Sequence, residues 1–282
     1  MLRPFYILIF FLSFFVNRAL AQGINNDRNA HNKEICIFGG ISYYIGDLNQ
    51  TGYFMYQDPA AGLGYRYNFN KRFALRANAW MGKLHATDAN SGSAIDRQRN
   101  LSFHTLIEEA NMQIEFNFLP LKGGTDDFFS PYIFAGIGIF HFNPQAEYNG
   151  QTYDLRNLST EGQGTAANPG SKRYNLTQAC IPFGMGFKWA LGKYFGIALE
   201  SGMRKTFTDY LDDVSTVYPD PAALNSPAAV ALADPSLNKD PKISNVERQR
   251  GNSKSKDWYN FTGIVISITL PRKDLPCLGV QK

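Results

Sequence analysis

Cysteine is scarce in this chain: Cys36, Cys180 and Cys277 are the three in 282 residues. They are too few and too scattered for a disulfide framework or a zinc site, and Cys36 and Cys180 fall inside predicted strands as small buried residues. Charge is thin as well, at 18% of residues, and the net +4 is spread rather than clustered, which gives no nucleic-acid-binding surface. After the N-terminus no long apolar run remains, so no helix of the mature chain is expected to span a membrane. Catalytic context is missing too. None of His31, His85, His104 and His141 accompanies a Gly-x-Ser-x-Gly elbow or another nucleophile setting, although His85 and His104 flank a predicted outer loop. The expectation is a protein that is not an enzyme and takes no cofactor, metal or small-molecule substrate.

What the chain does have is an export signal and an unusual share of aromatics, 14%. Arg3 gives a basic start, Phe5 to Val16 an apolar stretch, and Ala19-Leu20-Ala21 a small-residue cleavage site before Gln22. The apolar stretch falls short of the ~20 residues of a spanning helix, and no cysteine follows the cleavage site to carry a lipid. The expected organisation is a signal peptide over 1–21, a polar periplasmic lead over 22–33, one folded membrane domain over 34–271 and a periplasmic tail over 272–282.

The folded part alternates. Phe195, Ile197, Leu199 and Met203, with Ser201 among them, take one face of an extended strand; Gly196, Ala198, Glu200, Gly202, Arg204 and Thr206 take the other. That is the period of two of a β-strand, with an apolar side and a small or charged side. The same rule recurs around Ile35–Tyr43, Leu63–Phe69, Phe73–Trp80, Asn111–Phe118, Tyr132–Phe142, Ile181–Trp189 and Trp258–Leu270. Between these eight segments the connections run loop, tight, loop, medium, loop, tight, loop, the longest spanning Pro219 to Asp257. Tight links on one side and long loops on the other are the rhythm of an up-and-down outer-membrane barrel, and strands of roughly 10 residues match a tilted membrane span. A secreted β-sandwich is the rival, and unstructured loops of such length are uncommon in compact soluble domains. The predicted fold class is all-β: an eight-stranded antiparallel transmembrane barrel of the cell outer membrane, with long extracellular loops and its outer face in membrane lipid.

The inward parity collects Arg66, Arg76, Glu109, Glu115, Lys188, Glu200 and Arg204. Eight strands enclose a space only wide enough for side chains, so these charges are expected to form a packed salt-bridge network rather than line a conducting pore. Asp209, Asp212 and Asp213 are expected as an extracellular acidic rim; they lack the glycine turn and ligand spacing of a calcium loop. In the medium link, Lys122, Asp126 and Asp127 stand beside Phe128 and Phe129. That mixture of charge and aromatic anchor suits a periplasmic contact, with an interfacial aromatic girdle as the plainer alternative.

Five segments also carry a resemblance: YIGDLN (Tyr44–Asn49), RQRNLSF (Arg97–Phe103), IEFNF (Ile114–Phe118), TDYLDDVS (Thr208–Ser215) and RGNSKSKDWYNFTG (Arg250–Gly263). In this order they resemble the PorG-like outer-membrane barrels of the Bacteroidetes type IX (Por) secretion system, a machine tied to protein transport and gliding motility. The resemblance implies a non-enzymatic subunit that docks a periplasmic ring lipoprotein and its partner. Against the common barrel pattern, the tail PRKDLPCLGVQK does not end in an aromatic residue. Without the resemblance, a small barrel acting at the cell surface, in adhesion or membrane stabilisation, fits the same sequence.

Overall fold

The alternating segments form strands of a closed barrel in a computed structural model that describes residues 32–50, 52–121, 128–165, 170–237 and 244–271. The barrel strands are β1 (Lys33–Ile45), β2 (Asp58–Asn68), β3 (Phe73–Thr87), β4 (Ser102–Asn117), β5 (Phe129–His141), β8 (Thr177–Ala190), β9 (Phe195–Thr206) and β10 (Trp258–Thr269). A small hairpin of β6 (Gln145–Tyr148) and β7 (Gln151–Asp154) stands in the loop after β5. All pairings are antiparallel, and β1 closes the ring on β10 with Ile37 opposite Ile266.

Closure needs close backbone approach, and two glycines permit it. Gly40 faces Gly263 across the β1–β10 seam. A Cβ on Gly40 would lie 2.2 Å from the Thr262 carbonyl oxygen and 2.6 Å from Gly263 Cα. The ring of Phe38 lies over the same spot, stacked 4.2 Å from Trp80 and edge-on to Phe261, so the seam is sealed from within by aromatics.

The alternation has the sense expected in lipid. Ile37, Leu63, Met112, Ile114, Ile137, Met185, Leu199 and Ile266 are exposed on the outer wall, while their inward neighbours are buried or half-buried. At one end the links 69–72, 118–128 and 191–194 are the shorter ones; at the other stand 46–57, 88–101, 142–176 and 207–257.

Two expectations fail at the long-loop end. The stretch from His85 to Asn100 reads as loop in sequence, yet β3 continues to Thr87 and β4 starts at Ser102, with His85 opposite His104. Here the pattern inverts. Leu84, Ala86, Phe103 and Ile107 point inward and are buried, whereas Lys83 and His104 point out and are exposed. A strand that rises above the membrane meets water outside and packed loops inside, so its polar face changes sides. The loops themselves are not patternless. Ser93 caps a helix at Ala94–Arg99 that ends on Asn100 in the left-handed region (φ 58°). Ser226 and Pro227 start the helix Pro227–Ala233, whose Ala228, Ala229, Leu232 and Ala233 are buried.

Candidate functional site

β2, β3, β4, β8 and β9 each contribute inward charges, and the barrel brings all seven predicted ones into the lumen. Arg76, Glu115 and Arg204 are fully buried, and Arg66, Glu109, Lys188 and Glu200 nearly so. Glu115 is the hub. Its carboxylate takes Arg66 Nε at 2.9 Å, Arg76 Nε at 2.9 Å and Lys188 Nζ at 2.5 Å. Arg76 then reaches Glu200 at 2.6 Å, and the Tyr132 hydroxyl donates to that same carboxylate. Nearer the long loops a second group joins Arg204 Nε to Glu109 at 3.1 Å, with the Tyr259 hydroxyl donating to Glu109 at 2.6 Å. Aromatic faces flank the cations: Lys188 lies 4.1 Å from the Tyr132 ring centroid, and Arg204 lies 4.7 Å from both Trp80 and Phe261.

One member escaped the sequence reading. Glu34 binds Arg66 Nη1 at 2.6 Å and accepts from Asn68 at 2.6 Å. It completes four carboxylates, Glu34, Glu109, Glu115 and Glu200, against Arg66, Arg76, Lys188 and Arg204. The signal was available: Glu34 shares the inward parity of Cys36, and an excess of buried cation demands a further carboxylate. Tyr132 and Tyr259 were also missed, because a tyrosine in a strand reads as apolar until its hydroxyl is placed. Among the described residues, such an interior holds its charges in fixed pairs, as a lumen of eight strands wide enough only for side chains requires.

The acidic rim is corrected. Asp209, Asp212 and Asp213 are buried, not solvated, and they hold the long loops together. Asp212 Oδ2 lies 2.5 Å from the Tyr44 hydroxyl, which is also 3.0 Å from Asp257 Oδ1. Asp213 accepts from the Tyr174 hydroxyl at 2.7 Å and from Thr160, and Asp209 accepts from Ser215 at 2.7 Å. Arg250 donates to the Asp213 carbonyl at 2.6 Å and to Glu161 at 3.1 Å. Arg99 spans the Arg250 and Asp47 carbonyls, each at 2.9 Å, while Asp47 accepts from the Asn252 amide at 2.8 Å. Loops with this many backbone groups can bury carboxylates because amides and hydroxyls solvate them. Burial pushes Asp209 and Asp213 up to about 6. Asp212 and Asp257 stand well above the usual carboxylate range, first through burial and then through neighbouring carboxylates.

His85 pairs with Asp58 and packs on Tyr56, and His141 lies 3.1 Å from the Thr177 hydroxyl. No group of three or more metal-ligating side chains occurs among the described residues. In the medium link, Phe128 is half exposed and Phe129 stacks on Phe187, as in an interfacial girdle. Lys122, Asp126 and Asp127 lie outside the described residues, as does His31.

A closed eight-stranded barrel with an apolar outer wall and a charge-paired, filled lumen defines a small outer-membrane β-barrel protein. The family described as "Domain of unknown function (DUF6089)" matches residues 11–226, and the chain belongs to it. Among solved structures, it is similar to the attachment invasion locus protein Ail of Yersinia pestis, in complex with the heparin analogue sucrose octasulfate. The identity is 10%, the TM-score 0.39, and coverage 85% of this chain and 99% of that one. Neisserial surface protein A is similar at 7% identity and TM-score 0.41, over 84% and 96% of the two chains. The N-terminal β-barrel domain of Pseudomonas aeruginosa OprF is similar at 10% identity and TM-score 0.36, over 85% and 99%. No curated protein matches the chain.

Proposed function

We propose that this barrel is a non-enzymatic outer-membrane subunit of a type IX secretion machine, which docks a periplasmic ring lipoprotein and its partner. The observation that carries the reading is the filled lumen. With Arg66, Arg76, Glu109, Glu115, Lys188, Glu200 and Arg204 buried in pairs, transport through the barrel is closed, and its surfaces are what remain for function. A second support is the placing of the resembling segments. Tyr44–Asn49, Arg97–Phe103, Thr208–Ser215 and Arg250–Gly263 meet in one cap through Tyr44, Arg99, Asp212, Arg250 and Asp257. In this reading the long-loop end is extracellular and the short-turn end faces the periplasm. The link from Lys122 to Asp127, with Phe128 and Phe129, is the proposed contact for the ring proteins.

The test is a pull-down with the ring lipoprotein after Lys122–Asp127 has been shortened to a two-residue turn, alongside assay of exported proteins in the medium. The expected result is a heat-modifiable barrel that stays in the membrane, loses the ring proteins and lowers export. Retained capture and normal export in that variant would assign the turn a connecting role only. Export lost solely when the long loops are trimmed would favour a barrel that acts at the cell surface, a reading to which the folded cap lends itself.

A further inference from the structure

The loop between β1 and β2 does not stand up from the barrel. Tyr43 has the outward parity of β1, on the wall that meets lipid, yet it is only 2% exposed. Its cover is Phe54, whose ring centroid lies 5.1 Å away. On the other side of β2, Tyr56 packs edge-on against His85 at 5.4 Å and donates to the Thr87 carbonyl at 2.8 Å. His85 and Thr87 have outward parity on β3. The loop therefore folds back over the outside of the barrel, straddling the end of β2.

This posture is built into the chain. The Asn49 amide donates to the carbonyls of Tyr44 (2.6 Å) and Gly52 (3.0 Å), and its oxygen accepts from the Gly52 amide at 3.0 Å. A Cβ on Gly52 would meet the Asn49 oxygen at 2.3 Å. Gln57 donates to the Phe54 carbonyl at 2.7 Å. Phe54 and Tyr56 both adopt left-handed backbone, at φ 59° and 53°, which bulky residues take only where their surroundings hold them. Held this way, the tip presents three consecutive apolar side chains outward: Tyr53 is 68% exposed, Phe54 49% and Met55 45%. No charged residue lies between Gly52 and Gln57. The short-turn end of the same wall has an aromatic belt of its own, Tyr67 against Phe69 and Phe73 against Phe116. Among the described residues at the long-loop end of β1, β2 and β3, the only outward Phe, Tyr or Trp of a strand is Tyr43, and it is covered.

We propose that Tyr53, Phe54 and Met55 form a membrane-immersed anchor, seated in the headgroup and upper acyl region of the leaflet at the long-loop end. The occupant is lipid, because the loop lies against the outer face of β1–β3, the wall whose Ile37 and Leu63 are exposed, and its tip carries no charge. Tyrosine and phenylalanine are the residues that settle at such an interface. The loop thus supplies the aromatic belt that the strands lack there, and it fixes the depth of the barrel on the β1–β3 side.

The experiment uses the full mature chain refolded into phosphatidylcholine vesicles, in a Cys277→Ser background whose remaining cysteines, Cys36 and Cys180, are buried. A bimane fluorophore is attached at Tyr53→Cys and, separately, at Met55→Cys. Leu63→Cys on the lipid wall (62% exposed) and Ile95→Cys on a loop helix (81% exposed) serve as references. Heat-modifiability selects folded protein in each case. The expected result at both tip positions is quenching by lipids spin-labelled near the head of the acyl chain, of the order seen at Leu63→Cys. Iodide quenching should be several-fold weaker than at Ile95→Cys. Iodide access equal to Ile95→Cys without lipid quenching, at both positions, would overturn the proposal and leave the tip as an aqueous surface for a protein partner.

Discussion

Arg76 joins two carboxylates from opposite sides of the lumen: its Nη2 lies 2.6 Å from Glu200 on β9, and its Nε lies 2.9 Å from Glu115 on β4. Removing Glu200 leaves a buried guanidinium half-paired and strips the acceptor of the Tyr132 hydroxyl. Glu200→Ala should lose about 3–5 kcal/mol in a urea titration from lipid vesicles. Replacing both partners, Arg76→Met with Glu200→Leu, should cost less than the two single losses added together. Ser201→Ala, one residue along on the lipid face, should cost under about 1 kcal/mol. Thr262 keeps its 2.6 Å bond to Asn260 when the Ser201 hydroxyl is gone.

The same pairing sets conduction. In planar bilayers the wild-type barrel should show no ohmic channel, since every lumen charge is paired and buried. A steady conductance from the wild-type protein would mean that the lumen is wet.

Closure of the ring rests on the glycine pair at the seam. Gly40→Ala forces a methyl against the Thr262 carbonyl, at 2.2 Å from its oxygen, with no flexible side chain to yield. The expected outcome is a sharp fall in the heat-modifiable fraction after refolding. Gly39→Ala is the control, because a Cβ there meets nothing within 4 Å, and its folded fraction should match wild type.

Acid should tighten the outer cap. Asp213 has a folded value of about 6 against an ordinary 3.8, raised first by burial. Below about pH 4 the carboxyl is protonated whether the cap is closed or open, and it contributes nothing to the balance. As pH rises from about 4 to about 6, the open state ionises first, so cap stability falls, by up to about 3 kcal/mol for a shift of this size. Asp209, also raised to about 6, acts in the same direction and over the same window. Amide hydrogen exchange over 209–215, corrected for intrinsic rates, should therefore quicken between pH 4 and pH 6. Asp213→Asn, which tolerates the left-handed backbone at φ 65°, should flatten part of that slope. An unchanged pH profile in Asp213→Asn would remove Asp213 from the account.

Where lipid or water touches the barrel directly, the chain is legible. The outward faces of β4, β8 and β9 are readable because lipid demands apolar side chains there, and the pleat then assigns Glu115, Lys188, Glu200 and Arg204 to the inside without further information. Legibility fails where the environment changes along a strand. The start of the predicted loop at His85 is the case in point, since the sequence does not mark the height at which β3 and β4 leave the membrane. It fails again at Asp209, Asp212 and Asp213, where three acids in a row of turns read as solvated.

The sequence by itself determined the strand period, the number of crossings, the alternation of short and long connections, and seven of the eight charges that share the lumen. Those follow from local rules, the two-residue pleat and the solvation of each face. Only the tertiary structure decided who pairs with whom. Arg76 meets Glu200 across the lumen because barrel closure sets their height, and Glu34 joins Arg66 because the β1–β2 register places them opposite one another. Asp212 and Asp257, forty-five positions apart, share one tyrosine hydroxyl because β1 brings Tyr44 beneath the cap. Pairing of buried charge depends on distances between strands that are remote in the chain, and no pattern within a strand encodes them.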